Sequence, residues 1–227
     1  MTPLSPKPEF ILASSSPRRR ELFGTLGIPY TILKPDIDES QHEGEVPLDY
    51  VERLSREKAM EVLQHLSKPS AVLAADTVVI LSADTMGINE QGVILGKPVD
   101  AVDARQMLQQ LRGRVHQVCT AMTLIILAEG DVQSSTTQIT RTDVTMRDYS
   151  DDEIEAYIAT GDPFDKAGSY AIQHPVFKPV ARIDGCYTNV IGLPMCRLQT
   201  MLAAIGWARI EAKPVCDCNE RYKGLFG

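Results

Sequence analysis

The residues with the clearest chemical potential lie near the start of the chain, between Ser14 and Arg20. Three serines are followed there by proline and three arginines, and Ser16 is placed to cap a helix. The N-terminus of a helix presents free backbone N–H groups to an anion, and arginine binds phosphate oxygens bidentately. The segment therefore predicts a phosphate site that includes Arg18 and Arg19. A capped helix with solvated arginines would give the same pattern.

A single carboxylate interrupts the most apolar stretch of the sequence. Asp76 lies within the run 71–81, which is typical of a strand covered on both faces. Burying a carboxylate without a partner costs free energy, so we expect Asp76 to have either a bonding partner or a chemical role. It could be a metal ligand or a general base where the strand emerges into a cleft. It could also cap a turn or pair with a buried arginine.

Further charged residues complete a set that suits phosphoryl chemistry. An acidic loop that contains Glu39 offers oxygen ligands of the kind Mg²⁺ prefers. Lys97 and Lys166 each lie beside glycine or alanine-glycine, where a ligand can approach the backbone closely. Lys58 lies in a long helical pattern. Carboxylates with several cations can neutralise the charge that develops during phosphoryl transfer.

The elements that would position these residues alternate between strand and helix and then form a long hairpin. We expect strands at 10–12, 30–33, 71–81, 115–127, 136–146, near Tyr170 and at 187–190, and helices at 17–26, 47–66, 101–111, 151–159 and 194–205. This order predicts an α/β fold with a mixed central sheet flanked by helices. We expect one domain over residues 1–206 and a loosely docked tail over 207–227.

Composition excludes several classes of function. The chain has 227 residues, 44% of them hydrophobic, and a net charge of −7. That charge argues against general binding to nucleic acid or to an anionic membrane. There is no signal-peptide pattern and no apolar run of membrane-spanning length, and the cysteines fit a reducing compartment, so we expect a cytoplasmic protein. No P-loop or nucleophile-elbow motif is present.

Six segments in order resemble the Maf family of nucleotide pyrophosphatases. They are Ser14–Arg19, Tyr50–Ala59, Ala75–Val79, Gly96–Pro98, Asp165–Gly168 and Asn189–Pro194. The resemblance runs from about Ile11 to about Leu202. It implies hydrolysis of a nucleoside triphosphate to the monophosphate and pyrophosphate with Mg²⁺ or Mn²⁺. It also implies a fold like that of the inosine triphosphate pyrophosphatases, an active-site cleft between two lobes, and a cytoplasmic homodimer.

The resemblance also implies a role for each candidate residue. Asp76 would activate water and would hold the metal together with Glu39. The triphosphate would be held by Ser14, Arg18, Arg19, Lys58, Lys97 and Lys166.

Four positions place the sequence in the dTTP/UTP branch of that family. Where this chain has Arg18, Thr77, Lys166 and Gln173, the branch that acts on 7-methyl-GTP has tyrosine, glutamine, cysteine and a Ser-Glu pair. We expect Arg18, Thr77 and Gln173 to select the base. UTP, dTTP and related modified pyrimidine nucleotides are then the expected substrates. One departure is that His174-Pro175 replaces the glycine that usually follows Gln173.

Two other hypotheses remain at this point. Maf proteins are also linked to inhibition of septum formation in dividing bacteria, so the chain could be a regulator that binds a nucleotide without turnover. It could also be a pyrophosphatase that prefers 7-methyl-GTP.

Overall fold

A mixed seven-stranded sheet organises the protein, as the alternation of elements predicts. The computed structural model describes residues 8–66 and 77–207. The strands are β1 Glu9–Ala13, β2 Tyr30–Leu33, β3 Thr77–Ile88, β4 Ile94–Leu95, β5 Val115–Ala128, β6 Asp131–Met146 and β7 Val180–Asp184. The helices are α1 Pro17–Gly24, α2 Pro47–Leu66, α3 Ala101–Leu111, α4 Asp151–Ile158, α5 Tyr187–Val190 and α6 Met195–Ala204, with 3₁₀ turns at Asp162–Asp165 and Ala167–Ser169.

The strand order is β2-β1-β3-β5-β6-β7, with β4 paired to β3. The two pairs that involve β1 are parallel, and the pairs from β3 through β7 are antiparallel. Parallel strands need a crossover, and α1 and α2 supply crossovers for the first three strands. The carboxyl end of β1 therefore lies beside the middle of β3, with Ala13 opposite Ser82.

Helices cover both faces of the central strands, which explains the nearly continuous apolar sequence of β3. On one face, α2 packs Ala59 and Val62 against Ile80 and Ile125. On the other face, a larger core joins the sheet to α1, α3, α4 and α6. The prediction of a mixed sheet flanked by helices is confirmed.

Two predictions of local structure are wrong. The segment Tyr187–Val190 is a short helix, and β7 lies at Val180–Asp184 whereas the sequence pattern suggests a strand near Tyr170. Aromatic and β-branched residues favour strands, but tertiary contacts override that preference here. Asn189 donates from its side-chain amide to Val118 O and to Thr142 Oγ1, both at 2.9 Å, and so ties α5 to the sheet.

The predicted C-terminal tail begins at Trp207, which packs against the core. The Trp207 ring lies edge-on to Phe10 with 4.8 Å between the ring centroids. The rest of the predicted tail lies outside the described residues. Across residues 8–66 and 77–207, no helix is both long and apolar enough to cross a membrane.

Candidate active site

A cleft of about 540 Å³ opens beside the carboxyl end of β1 and the second half of β3. One wall is formed by the start of α1 and by α2, and the other by the segment 165–173 with the loop around Gly96. The structure brings five predicted cations to this cleft although they are far apart in sequence. They are Arg18, Arg19, Lys58, Lys97 and Lys166. Glu39 and Gln173 line the same cleft.

Lys58 joins two carboxylates at the centre of the cleft. Its ammonium lies 2.5 Å from Asp84 Oδ1 and 2.8 Å from Glu39 Oε1, and its side chain is 9% exposed. Burial opposes ionisation of Glu39, but the hydrogen bond and charge of Lys58, with the charges of Lys97 and Arg19, hold the pKa of Glu39 below its usual range. Glu39 and Asp84 are therefore a pair of carboxyl groups that line the cleft and share Lys58 as a partner.

The acid that the structure places in the cleft is Asp84, eight residues after the predicted Asp76. Asp76 lies outside the described residues. Its neighbour Thr77 begins β3, is buried, and pairs with Ala128 at the far end of the hairpin. Asp84 lies seven residues along the strand from Thr77, a distance of about 23 Å. The prediction that Thr77 lies in the site is wrong, because β3 carries it to the opposite end of the sheet.

The threonine that lines the cleft is Thr85, whereas the sequence predicts Thr77. Strand alternation turns Asp84 towards α2 and Thr85 towards α1. Thr85 Oγ1 accepts from Arg19 Nη2 at 2.9 Å and lies 2.9 Å from Thr120 Oγ1 on the neighbouring strand. A threonine therefore stands next to the acidic residue in the site, but it is a different threonine from the predicted one.

The guanidinium of Arg19 is fixed in a half-buried position. Arg19 Nε donates to Gly192 O at 2.8 Å, while Nη2 donates to Thr85. Burial lowers the pKa of Arg19, and the nearby charge of Asp84 opposes that effect. Because two of its nitrogens are held, the guanidinium is pre-oriented at the edge of the cleft, which lowers the entropic cost of binding an anion.

The start of α1 has the expected capping geometry. Pro17 is at the first helical position, and Ser16 Oγ accepts from Arg19 N at 3.5 Å. Ser15 and Ser16 line the cleft. Ser14 is not among the lining residues: it is buried, and its Oγ accepts from Ser16 N at 3.2 Å. The structure therefore gives Ser14 the role of shaping the turn, and the serines that line the cleft are the next two residues.

The opposite wall carries the remaining two lysines. Gly168 N donates to Gly96 O at 3.0 Å, which brings the loops of Lys97 and Lys166 together. Lys166 Nζ is held by Asp162 Oδ1 at 3.0 Å and Asp165 Oδ1 at 2.5 Å. Gly168 has a φ of +72°, which glycine adopts without strain. Lys97 is exposed at the rim, so the two lysines differ in how freely they can reach a phosphate.

Gln173 lines the cleft although His174-Pro175 follows it in place of the usual glycine. His174 Nδ1 accepts from Phe177 N at 2.9 Å, and the ring packs edge-on to Tyr157. His174 is not among the described non-glycine residues with positive φ, so the backbone there does not require glycine. The histidine closes its own turn, and Gln173 remains exposed beside the cleft.

The described residues fit a divalent metal only in part. Within 8–66 and 77–207, no three His, Cys, Asp or Glu side chains are grouped as a metal site. Magnesium commonly binds through one or two carboxylates and completes its shell with water and substrate phosphates. Glu39 and Asp84 supply such a pair, so these residues could hold Mg²⁺ or Mn²⁺ together with a bound triphosphate.

The sequence analysis does not identify Asp84 and Thr85 as site residues, although two features of the sequence indicate them. The tripeptide Ala-Asp-Thr occurs twice, at 75–77 and at 83–85. Only the second copy lies just before the Gly96-Lys97-Pro98 segment. It also lies in β3 just beyond the carboxyl end of β1, where a ligand site in an open α/β sheet is expected. The apolar residues that follow Asp76 made the first copy the more conspicuous of the two.

The fold and the cleft define an α/β protein with a cation-rich site at the carboxyl end of β1, beside its parallel neighbour β3. The model of the family described as Maf-like protein matches residues 9–205. The chain therefore belongs to the Maf-like protein family.

Curated relatives span nearly the same length. A dTTP/UTP pyrophosphatase of Pseudoalteromonas atlantica is 44% identical over 201 residues, which are 87% of this chain and 97% of the relative. A dTTP/UTP pyrophosphatase of Geobacter sp. is 41% identical over 196 residues, which are 86% of this chain and 95% of the relative. Among solved structures, a nucleoside-triphosphatase/dITP/XTP pyrophosphatase of Mycobacterium abscessus aligns with a TM-score of 0.36 and 14% identity, covering 62% of this chain and 75% of that one.

Proposed function

We propose that this protein hydrolyses dTTP and UTP to the corresponding monophosphate and pyrophosphate. The carrying observation is the cleft itself, where Lys58 joins Glu39 and Asp84 beside Arg18 and Arg19. A cation-rich cleft with two carboxylates suits a triphosphate and its hydrolysis. The names of curated relatives at about 40% identity support the same activity. On the family resemblance, we also propose that the protein is a cytoplasmic homodimer.

In the proposed mechanism, a water molecule attacks the α-phosphorus and the bond to the bridging oxygen breaks. Asp84 accepts the proton of that water, and pyrophosphate leaves. Arg18, Arg19 and Lys97 bind phosphate oxygens and balance the charge that moves to the leaving group. Bound Mg²⁺ or Mn²⁺, held by Glu39 and Asp84 with the substrate, would add Lewis-acid stabilisation of the same charge.

A substrate panel tests the proposed function. Purified protein with Mg²⁺ is expected to release pyrophosphate from UTP and dTTP well ahead of CTP, ATP, GTP and 7-methyl-GTP. Pyrophosphate is measured directly, and the nucleotide product is identified by chromatography. Tight binding of UTP without turnover would contradict the enzymatic proposal and favour a regulator. A preference for 7-methyl-GTP would contradict the proposed substrate.

Gln173 is proposed to read the edge of the base. Its amide offers one donor group and one acceptor, as O4 and N3–H of uracil or thymine require, whereas cytosine presents the reverse pattern. A site that pairs with such groups discriminates strongly, because a wrong base leaves polar atoms unpaired.

Gln173→Ala is therefore expected to lower the ratio of kcat/KM for UTP over CTP by about tenfold or more. Gln133→Ala is the matched control, since Gln133 is exposed on β6 outside the cleft. Steady-state kinetics with both nucleotides give the ratio, and thermal unfolding shows whether the fold persists. An unchanged ratio in a folded Gln173→Ala protein would rule out base reading by this residue.

A further inference from the structure

A buried hydrogen bond beside the cleft joins the central sheet to the wall formed by the segment 165–173. His116 Nε2 on β5 lies 2.8 Å from Tyr170 Oη, and the two rings pack edge to face with 5.4 Å between their centroids. Both residues line the cleft, yet they are only 2% and 7% exposed. His116 belongs to the sheet, whereas Tyr170 belongs to the segment that carries Lys166 and Gln173.

The hydrogen-bonding capacity of the two groups indicates the direction of this bond. Burial lowers the pKa of His116 to about 4, so the imidazole is neutral near pH 7. A neutral imidazole has one acceptor nitrogen. If Tyr170 donates to Nε2, only the Nδ1–H of His116 lacks a partner among the described residues. The reverse direction would also leave the buried hydroxyl proton of Tyr170 without an acceptor, so Tyr170 is the donor.

Other hydrogen bonds of the 166–173 segment join it to neighbouring residues on the same wall of the cleft. Lys166 Nζ pairs with Asp162 and Asp165, and Ala171 N donates to Tyr157 Oη at 3.1 Å. Ser169 adopts a φ of +60° in this segment, a strained conformation for a residue with a side chain. A short and partly strained segment depends on its contacts for an accurate position. The hydroxyl of Tyr170 supplies a contact that reaches β5 of the central sheet.

We propose that the His116–Tyr170 hydrogen bond positions the 166–173 segment against the sheet and thereby sets the selectivity for uracil over cytosine. Neither side chain acts as an acid or a base in this proposal. Tyr170 and His116 act through Gln173, which lies three residues after the tyrosine. The inference rests on the proposed function and adds to it a pair of positioning residues beneath the base-binding wall.

Tyr170→Phe tests the proposal with the smallest change, because it removes the hydroxyl and keeps the ring. We expect the ratio of kcat/KM for UTP over CTP to fall about five- to tenfold, the size of effect that one hydrogen bond supports. The fall should come mainly from a higher KM for UTP, because the cations and carboxylates that perform hydrolysis lie elsewhere. A fall confined to kcat would overturn the positioning role.

Tyr149→Phe is the matched control. Tyr149 is also buried, belongs to the same core, and donates to Leu108 O at 2.7 Å, but it is not a lining residue of the cleft. Both variants lose one buried hydrogen bond and should lose similar thermal stability. We expect the UTP/CTP ratio to remain at the wild-type value in Tyr149→Phe. Equal loss of selectivity in both variants would overturn the proposal, because the effect would then follow stability.

Substitutions of His116 examine the other end of the bond. His116→Gln keeps an acceptor near the position of Nε2 and should retain the ratio within about twofold, whereas His116→Leu should resemble Tyr170→Phe. The double variant His116→Leu/Tyr170→Phe should lose no more selectivity than either single variant, because both remove the same interaction. Additive losses of selectivity in the double variant, or no loss of selectivity in His116→Leu, would overturn the proposed role of this hydrogen bond.

Binding measurements separate this inference from the proposed function. Dissociation constants of UTP and CTP, measured by calorimetry for the same variants, report selectivity without turnover. Wild-type protein that prefers UTP but releases no pyrophosphate would contradict the hydrolytic proposal, and the variants would still show whether the pair sets the preference. If hydrolysis occurs and Tyr170→Phe leaves both the kinetic and the binding ratios unchanged, the hydrogen bond has no role in selectivity.

Discussion

Asp84→Asn is expected to reduce UTP hydrolysis by at least about a hundredfold, whereas Asp76→Asn is expected to retain most of the activity. The amide keeps the shape of the carboxylate but cannot accept a proton from water, and it removes a negative charge that could hold a metal. Asp84 faces the cleft and contacts Lys58 Nζ at 2.5 Å. Pyrophosphate release from UTP at saturating Mg²⁺ measures the effect.

The two copies of Ala-Asp-Thr make Asp76→Asn a closely matched control for Asp84→Asn. Both substitutions change an aspartate that lies between alanine and threonine, so the local sequence chemistry is matched. Thermal unfolding and UTP binding should show that Asp84→Asn remains folded and still binds nucleotide. If Asp76→Asn abolished hydrolysis while Asp84→Asn left it near the wild-type rate, the assignment of the catalytic carboxylate to Asp84 would be refuted.

Lys58→Met is expected to lower kcat/KM for UTP by about a hundredfold or more and to reduce stability by roughly 1–3 kcal/mol. The ammonium holds Glu39 and Asp84 at one point and adds positive charge where the triphosphate is proposed to bind. Asp84, whose side chain is only 12% exposed, loses its cationic partner in this variant. A carboxylate left in that position is unfavourable in its charged form.

Two variants separate the contribution of the charge at this site from general effects on α2. Lys58→Arg keeps the charge and should restore part of the activity. Arg56→Met removes a cation from an exposed position of the same helix, where Arg56 pairs with Glu52, and should leave activity unchanged. Kinetics and chemical denaturation of the three variants give both quantities. Activity in Lys58→Met that matches Arg56→Met would mean that Lys58 contributes only to the fold.

Much of the fold follows from local signals in the sequence. The apolar stripe of 47–66 predicts α2 with the bounds that the structure shows. Ser16 with Pro17, and Ser150 with Glu153, predict helix starts whose capping hydrogen bonds are present. The turn at Glu129-Gly130 predicts the long β5–β6 hairpin. These signals are reliable because capping, turn geometry and amphipathic periodicity depend on neighbours along the chain.

The sequence by itself also determined the family and the residue types of the site, whereas only the tertiary structure shows that Asp84 and Thr85 of the second Ala-Asp-Thr copy line the cleft. The local sequence does not distinguish the two copies, because both aspartates lie between alanine and threonine. The distinction depends on register: β3 pairs in parallel with β1, and Ser82 lies opposite Ala13, where β1 ends. That pairing brings Asp84, two residues further on, beside the serine turn and Lys58. Likewise, only the packing of distant segments reveals that Tyr170 reaches His116, because register and contacts between elements are set by the whole core.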